Sequence, residues 1–416
     1  MADTVFTKCA WRLIPYITLL YVVGFIDRSN VGFAALTMNR DLGFSPSIFG
    51  FGAGIFFLGY VTFQIPTALL LARIGARRII FCVMAVWGLV SAANAFMRDA
   101  HSFYLLRFLL GVAEGGFTPS MIFYLTLWFP QNQRGRFIAI FCSAIPIAGI
   151  ISGPLSGLLL GMEGIGGLHG WQWLFLIQGL PAVVLAFVTL SVLPDGPDQA
   201  RWLNDGERAA IAAALVSGPA APPASMGQAL GDPRFYILGL AGLGSGIALY
   251  GVNLWLPQII HAMGFSTRAT GFIAALPYVV SIFAMIGWAR LSDRSGERLW
   301  HSALTMFWAA AALALAAIAG HPLLAMMALS LAMAGGLAGI GPFQSLVSSL
   351  ARGPSAAGGL ALVNTIGTFG GFFGPSLVGY LKAQTGGYGA AMAALAVSQL
   401  CAALIVLGTG RLLKRG

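Results

Sequence analysis

The sequence predicts an all-α membrane protein with twelve transmembrane helices. Hydrophobic residues make up 58% of the 416 residues and charged residues only 9%, whereas soluble domains carry about 25% charged residues. Apolar runs of roughly 20 residues, the length that crosses a bilayer, follow one another along the chain. The net charge of +10 fits this class, because the cytoplasmic loops of membrane proteins collect Lys and Arg.

The sequence does not contain the motifs that are typical of other classes of protein. The four cysteines have no CxxC spacing, which indicates neither a disulfide framework nor a zinc site. No metalloprotease motif, nucleophile elbow or phosphate loop is present, so we expect no enzyme, no cofactor and no metal. No basic patch with interleaved aromatic residues lies outside the apolar runs, so nucleic acid is not an expected partner. The expected partners are the bilayer and a small solute, and the expected state is a monomer.

A polar, proline-rich stretch divides the apolar runs into six and six. We therefore predict an N-terminal six-helix bundle at 1–193, a cytoplasmic linker at 194–232 and a C-terminal six-helix bundle at 233–416. The linker contains a short amphipathic helix at about 201–215. Most Lys and Arg fall on the side of the N-terminus, and the few on the opposite side are Arg40, Arg98, Arg268 and Lys382. This bias predicts that both termini are cytoplasmic.

The two sets of six helices repeat one another at a constant offset of 221 residues. The offset separates Gly43-Phe44-Ser45 from Gly264-Phe265-Ser266, Gly153-Pro154 from Gly374-Pro375, and Arg73, Gly75 and Arg77 from Arg294, Gly296 and Arg298. A common offset in several corresponding helices indicates duplication. Because six is an even number, the copies enter the membrane from the same side as parallel repeats, which predicts a substrate site near mid-membrane between the halves.

Four ionisable residues lie inside apolar runs of the first half: Asp27, Arg28, Arg107 and Glu114. A charge at the centre of a membrane helix costs roughly 2.5 to 3.5 kcal/mol, so each is expected to have a partner or a task. At the repeat offset their counterparts are uncharged: Ala248, Leu249, Ala328 and Gly335. Since charges needed only for helix packing are expected in both copies, this asymmetry favours a binding site.

The two arginines predict an anionic substrate. Arg28 and Arg107 fall in the outer halves of the first and fourth helices, and two guanidinium groups at similar depth can clamp a carboxylate. Asp27 and Glu114 are the candidate proton carriers, because a substrate that occupies a nearby arginine changes the proton affinity of a carboxyl group. The alternative is that the two carboxylates only neutralise the arginines.

Uncharged residues complete the predicted substrate site. Gln344 in the tenth helix and Asn364 in the eleventh suit hydroxyl groups of a substrate, and Tyr60 in the second helix is placed in the same cavity. For the two amides, hydrogen bonding to a neighbouring helix is the alternative.

The repeated loop motif predicts a cytoplasmic gate. Its residues are Arg73, Gly75 and Arg77 in the first copy and Asp293, Arg294 and Arg298 in the second. The glycines suit tight turns, and the charges are able to pair or to cap helix ends. The alternative role is a topological anchor.

Five segments carry a resemblance to a known family: IDRSNVGFA at 26–34, GYVTFQIP with ARIGARR at 59–78, LRFLLGVAEGGFTPS at 106–120, WFPQNQRGR at 128–136 and GLALVNTIGTFGGFFGP at 359–375. In combination they resemble the anion:cation symporter family of the major facilitator superfamily, over nearly the whole chain. The most similar branch is that of bacterial tartrate, hydroxyphenylacetate and sugar-acid transporters. The resemblance implies proton-coupled uptake of a small organic anion, with Asp27, Arg28, Arg107 and Glu114 central and Asn364 at the position of a family asparagine.

Two positions depart from the family pattern. Gln344 stands where the family commonly has Trp, which weakens an aromatic-acid assignment and favours a hydroxylated acid. Ala72 stands opposite Asp293, where the family has an acidic residue, and this suggests an inside gate that is unequal in its two halves.

We therefore expect a secondary active transporter of the bacterial inner membrane that imports a small organic anion by proton symport with alternating access. The substrate is expected to be a hydroxy-dicarboxylate such as tartrate, or a sugar acid. The alternatives are aromatic-acid uptake by the same mechanism and proton-coupled export of amphipathic compounds. A sensor without turnover would have a similar sequence, whereas a channel is expected to form its pore from rings of carbonyls or charges.

Overall fold

The computed structural model describes residues 2–216, 226–350 and 356–413. These residues form helices and no strand, and twelve of the helices are long and apolar enough to cross a membrane. The predicted fold class is confirmed. The linker prolines at 219, 222 and 223 and the basic residues Lys414 and Arg415 lie outside the described part of the chain.

The first half supplies membrane helices α1 to α6, of which α4 and α5 are each broken into two segments. Their bounds are α1 (Ala2–Asp41), α2 (Pro46–Ile74), α3 (Ala76–Ala93), α4a (Ala100–Glu114), α4b (Phe117–Trp128), α5a (Gln131–Cys142), α5b (Ala144–Leu159) and α6 (Gly170–Val192).

The second half supplies α7 to α12, of which α8, α10 and α11 are broken. Their bounds are α7 (Pro233–Ala262), α8a (Thr267–Ile273), α8b (Leu276–Ser295), α9 (Leu299–Ile318), α10a (Pro322–Ala338), α10b (Ile340–Leu350), α11a (Ala356–Thr368), α11b (Gly370–Thr385) and α12 (Gly389–Leu413). Two shorter helices, Asp205–Val216 and Met226–Gly231, lie between the halves; the first is called the linker helix below.

Proline explains four of the five breaks. Proline has no N–H to donate to the carbonyl four residues earlier, and its ring collides with that carbonyl. Each of α4, α5, α8 and α10 is interrupted at or next to this position before a proline, the four prolines being Pro119, Pro146, Pro277 and Pro342. The α4 break therefore follows Glu114 directly, so that this carboxylate lies at the end of a helical segment.

The repeat is visible in the local structure of the loops. Gly43 and Gly264 precede the second helix of each half, and both have positive φ, at 67° and 96°. Ser45 and Ser266 follow them, and the hydroxyl of each accepts the backbone N–H three residues later at 3.2 Å. The two copies thus begin their second helix with the same glycine turn and the same serine cap.

The described chain packs as two compact units. Unit 1 comprises Met1–Asn30, Leu58–Ile151 and Met162–Ala220, and unit 2 comprises Val31–Phe57, Ser152–Gly161 and Ala221–Gly416. Unit 2 therefore contains the second half together with one end of α1, of α2 and of α5. The predicted boundaries at 193 and 233 follow the repeat, and their status as bundle boundaries stays a prediction.

Within unit 2, glycine pairs bring helix backbones into contact. A Cβ atom on Gly50 of α2 would lie 3.0 Å from the Cα of Gly379 in α11b, and one on Gly271 of α8a would lie 2.9 Å from the Cα of Gly157 in α5b. Gly50 and Gly271 are repeat counterparts, and each meets a glycine in the fifth helix of the other half, Gly379 or Gly157, whose positions differ by 222 residues instead of 221. No residue with a side chain fits either contact without moving a helix.

Candidate functional site

The structure brings the four predicted charged residues together inside unit 1. Asp27 and Arg28 lie on α1, and Arg107 and Glu114 lie on one face of α4a, two turns apart. Asp27 and Arg107 have no solvent-exposed surface, and Glu114 is 2% exposed. The cluster is thus a set of two cationic and two acidic side chains, of which three are buried and Arg28 is partly exposed, at 12% of its side chain.

Arg28 forms an ion pair with Glu114. Its Nη2 and Nε atoms donate to Oε2 of Glu114 at 2.8 and 3.1 Å, which is a charge-assisted contact of short length. The guanidinium also lies over the ring of Tyr60, 4.9 Å from its centroid, in cation–π geometry. The Tyr60 hydroxyl is hydrogen-bonded to that of Thr118 at 3.3 Å. Arg28 therefore contacts two other predicted site residues, Tyr60 and Glu114.

Asp27 is held by a different set of contacts. Its carboxylate accepts hydrogen bonds from Trp87 Nε1 at 2.7 Å, from Asn30 Nδ2 at 2.8 Å and from the hydroxyl of Ser91. Trp87 and Ser91 lie on α3, so these bonds attach the charged turn of α1 to α3. The sequence prediction named neither of them.

A sequence signal for the contact to Ser91 exists in the repeat. Asp27 is replaced by Ala248 at the repeat offset, and Ser91 is replaced by Ala312. The carboxylate and one of its donors are thus lost together in the second copy, as expected for interacting side chains. Trp87, by contrast, is retained as Trp308. Comparison of the two copies therefore does not identify Trp87 as a hydrogen-bond donor to Asp27.

Arg107 is buried among the other charges of the cluster. The charges of Glu114, Asp27 and Arg28 all act on its guanidinium. Because Arg28 is engaged by Glu114, the two arginines are not arranged as an open clamp in this structure. A carboxylate ligand that takes the Nε and Nη2 donors of Arg28 would replace Glu114 as their partner.

Gln344 and Asn364 lie in unit 2 and contact each other. The Nε2 atom of Gln344 donates to Oδ1 of Asn364 at 2.7 Å. The two amides thus form a hydrogen bond between neighbouring helices, which is the predicted alternative to binding substrate hydroxyl groups. Both residues also line a cavity of about 210 Å³ inside unit 2. The amides are therefore available to a ligand that displaces one of them from the other.

The predicted gate residues occupy two separate turns. In the second copy, Arg298 pairs with Asp293 at 2.9 Å and donates to Ser292 Oγ at 2.7 Å, while Arg294 is exposed. Gly296, with φ of 67°, ends α8b.

In the first copy, Gly75 has φ of 85° and precedes α3. Arg73 is exposed, whereas Arg77 is half-buried next to the segment that leads from α6 into the linker. The glycine turns agree with the motif, and the gating role stays a prediction.

Comparison with known proteins agrees with this architecture. A model of the Major Facilitator Superfamily matches residues 17–375. A protein from Agrobacterium vitis that is provisionally named a tartrate transporter is 43% identical over 97% of this chain and 90% of its own length. A protein named quinolone resistance transporter from Acinetobacter baumannii is 40% identical over 94% of this chain and 91% of its own. The inner membrane transport protein RhmT of Escherichia coli is 37% identical over 92% of this chain and 90% of its own.

Solved structures show the same fold. A bacterial homologue of the human lysosomal transporter Spinster, in an inward-facing and occupied conformation, superposes with a TM-score of 0.80 at 18% identity and covers 96% of each chain. A D-xylose–proton symporter superposes with a TM-score of 0.73 at 14% identity, over 95% of this chain and 97% of its own.

Proposed function

The chain belongs to the Major Facilitator Superfamily, and we propose that it imports a small organic anion together with protons. Its family and its twelve apolar helices make it a multi-pass membrane transporter rather than an enzyme. The finer proposal places it in the bacterial inner membrane with both termini in the cytoplasm. The observation that carries the transport chemistry is the ion pair between the partly exposed Arg28 and the buried Glu114.

The ion pair supports an exchange of partners. A substrate carboxylate that binds Arg28 takes the hydrogen bonds that Glu114 now accepts. Glu114 is then a buried carboxylate that has lost its bonds to Arg28, an arrangement that costs several kcal/mol unless the charge is neutralised. A proton from the aqueous phase neutralises it, so that one anion and one proton are bound together. Release of the anion returns Arg28 to Glu114 and expels the proton.

Asp27 is the second proposed proton site, one step further from the substrate. It is bonded to α3 rather than to Arg28, so a substrate acts on it through the field of Arg107. We propose that Glu114 carries the proton whose uptake depends directly on the anion.

The proposed substrate is a hydroxylated acid such as tartrate or a sugar acid. The relative provisionally named a tartrate transporter supports this class, and so do the neutral amides of Gln344 and Asn364, which suit hydroxyl groups. Gln344, where the family commonly has Trp, argues against an aromatic acid.

Alternating access completes the proposal. We assign the closed gate on the extracellular side to the glycine contacts α2–α11 and α5–α8 of unit 2, and the cytoplasmic gate to the turns around Gly75 and Gly296. The extracellular gate opens when α2 separates from α11 and α5 separates from α8.

Uptake into proteoliposomes with an imposed inward proton gradient tests the proposal. Labelled tartrate, sugar acids and aromatic acids are each offered with and without an uncoupler. We expect gradient-dependent accumulation of a hydroxylated acid, abolished by the uncoupler. No accumulation of any acid by folded, inserted protein would contradict the proposal.

A second candidate function is proton-coupled export of an amphipathic compound. It is favoured by the relative named quinolone resistance transporter, at 40% identity. The same vesicles distinguish the two when a fluoroquinolone is loaded and the inward proton gradient is kept, because inward proton flow drives the drug outward by exchange: an exporter lowers the internal drug, whereas an anion importer leaves it unchanged.

A further inference from the structure

A cavity of about 510 Å³ lies in unit 1, where α6 ends and the linker segment begins. It is formed by the last residues of α6, by the segment that follows them as far as Trp202, and by Arg77 in the first turn of α3. None of the described residues that line it belongs to the proposed anion site. Because α6 ends and α3 begins here, the cavity lies at a surface of the membrane.

Two arginines line the cavity, and none of the described lining residues is an Asp or a Glu. Arg77 is half-buried and Arg201 is exposed, and among the described side chains neither forms an ion pair. Asp195 and Asp198 belong to the same segment but do not line the cavity. A ligand in the cavity therefore meets two positive charges. Since a guanidinium group binds carboxylate and phosphate oxygens through a planar fork, the cavity selects an anion.

Trp202 forms one wall of the cavity and is held in place by its neighbours. Its ring stacks on that of Trp128, with the centroids 5.6 Å apart, and the guanidinium of Arg12 lies 5.2 Å from its centroid. Tryptophan is enriched at the level of the lipid headgroups. The wall thus fits a ligand at headgroup depth, and Arg12 adds a third positive charge beside it.

An apolar stripe on α6 leads from the cavity along the membrane-spanning part of the helix. Val184, Val188 and Val192 are four residues apart and so share one helix face. Their exposed fractions are 63%, 37% and 39%, and Val192 lines the cavity. The stripe is about 12 Å long at 1.5 Å per residue, close to the roughly 15 Å of hydrocarbon in one leaflet. An anion with an acyl chain fits the cavity and the stripe together.

We propose that the cavity binds the phosphate of an anionic phospholipid, such as phosphatidylglycerol, whose acyl chain lies along the valine stripe. The guanidinium groups bond to the phosphate oxygens, and the hydroxyl of Ser191, which also lines the cavity, donates a further hydrogen bond. Basic pockets between membrane helices on the cytoplasmic side bind such headgroups. In the proposed orientation the lipid belongs to the cytoplasmic leaflet. Because Arg77 is part of the predicted gate motif, the lipid contacts the turn proposed as the cytoplasmic gate.

Native mass spectrometry of the delipidated full-length transporter, titrated with phosphatidylglycerol, tests the proposal. We expect the first phosphatidylglycerol to bind at least about tenfold more tightly than phosphatidylcholine, whose choline group brings a positive charge to the arginines. Arg201→Gln should weaken this first binding by about tenfold or more, the size of one hydrogen bond to a charged group. Arg136→Gln is the matched control, because it removes an exposed positive charge outside the cavity; its affinity should be unchanged.

A second pair of variants tests the cavity independently of Arg201. Ser191 is exposed and lines the cavity, so a larger side chain there does not disturb the packing of the helices. Ser191→Glu gives the arginines a carboxylate partner and should abolish the preference for phosphatidylglycerol over phosphatidylcholine. Ser191→Gln has the same size without the charge and should keep the preference.

Three results would overturn the proposal. Equal affinity of Arg201→Gln and Arg136→Gln for the first phosphatidylglycerol would show that Arg201 does not bind the phosphate. Equal affinity of Ser191→Glu and Ser191→Gln would place the lipid elsewhere. Soluble glycerol 3-phosphate that competes as strongly as phosphatidylglycerol would assign the cavity to a free phosphate ester and exclude a contact with the acyl chain. None of these measurements depends on anion transport, so failure of this site and failure of the proposed function are distinguishable.

Discussion

Arg28 is the residue on which the proposed substrate binding depends. Its planar guanidinium bonds to Glu114 through two nitrogens, and the same fork fits a substrate carboxylate. Lysine keeps the charge but offers no fork. We expect Arg28→Lys to weaken binding of the transported acid by at least about tenfold, measured by titration calorimetry. The exposed Arg98→Lys is the matched control, and equal affinity of the two variants would contradict the role of Arg28.

Ser91 holds the Asp27 carboxylate and should contribute to stability. A hydrogen bond to a charged group contributes about 1.5 to 3 kcal/mol, and the Ser91 hydroxyl is fully buried. Ser91→Ala should lower the thermal unfolding midpoint in detergent. Ser348→Ala, which removes an exposed hydroxyl bonded to its own helix, is the control. The same midpoint in both variants would show that the hydrogen bond from Ser91 to Asp27 does not stabilise the fold.

At this scale the sequence revealed the charged residues but not their pairing. Asp27, Arg28, Arg107 and Glu114 were identifiable because charges are costly in apolar runs. In the structure Arg28 bonds to Glu114 instead of facing a free space beside Arg107. This pairing depends on side-chain positions, which residue spacing along a helix does not determine.

The linker helix is the element with the clearest attachment outside the membrane. Lys8 Nζ contacts both carboxylate oxygens of Glu207 at 2.8 Å, and Trp202, just before the helix, stacks on Trp128 with its centroid 5.6 Å away. These contacts fix the linker helix to α1 and α4b within unit 1.

Acid should loosen this attachment. The hydrogen bond from Lys8 holds the pKa of Glu207 below its ordinary value, and a bond from the Asn204 backbone acts in the same direction. A carboxyl group with a lowered pKa stabilises the folded state above its unfolded pKa, near 4.3, and loses that contribution as pH falls through the folded value. We expect faster hydrogen exchange in the linker helix below about pH 4, after correction for the intrinsic rate.

Glu207→Gln should reproduce this loosening at neutral pH, with hydrogen exchange a few-fold faster in the linker helix. Asp205→Asn in the same helix removes an exposed carboxylate that pairs with Arg208 and serves as the control. Equal exchange rates in the two variants would show that Lys8 does not hold the helix.

The helices themselves were largely predictable. Twelve spans follow from the lengths of the apolar runs, and the linker helix predicted at about 201–215 is found at Asp205–Val216. Its start is set by reciprocal bonds between Asn204 and Glu207, which form a capping box. The positions of most helix breaks could also be predicted from the sequence, because these breaks lie about one turn before a proline.

For the whole molecule, the glycine contacts of unit 2 are expected to hold the extracellular gate. A Cβ atom on Gly271 would lie 2.5 Å from the Gly153 carbonyl oxygen, so Gly271→Leu forces α5 and α8 apart. Thr270 has no exposed surface at this contact. We expect Thr270→Cys to resist a membrane-impermeant maleimide added outside, and to be labelled once Gly271→Leu is added.

The matched control is Gly287→Leu, on α8b, combined with Thr270→Cys; labelling should stay low. Low labelling with Gly271→Leu as well would argue that the glycine contacts do not close the gate.

The packing into two units was beyond sequence reasoning. The offset of 221 residues identifies which helices correspond, but it does not say which ends of α1, α2 and α5 pack with the second half. That choice depends on close approach at Gly50, Gly271 and their partners, which sequence spacing alone does not show.

Uptake by wild-type protein and by Glu114→Gln, in parallel vesicles with an inward proton gradient, tests the claim that Glu114 carries the coupled proton. Glutamine still accepts from Arg28 but takes up no proton. We predict that wild-type protein accumulates the labelled acid and that Glu114→Gln only exchanges it for unlabelled acid inside, while the exposed Glu163→Gln behaves as wild type. Gradient-driven accumulation by Glu114→Gln at the wild-type level would contradict the claim and place the coupled proton on another residue.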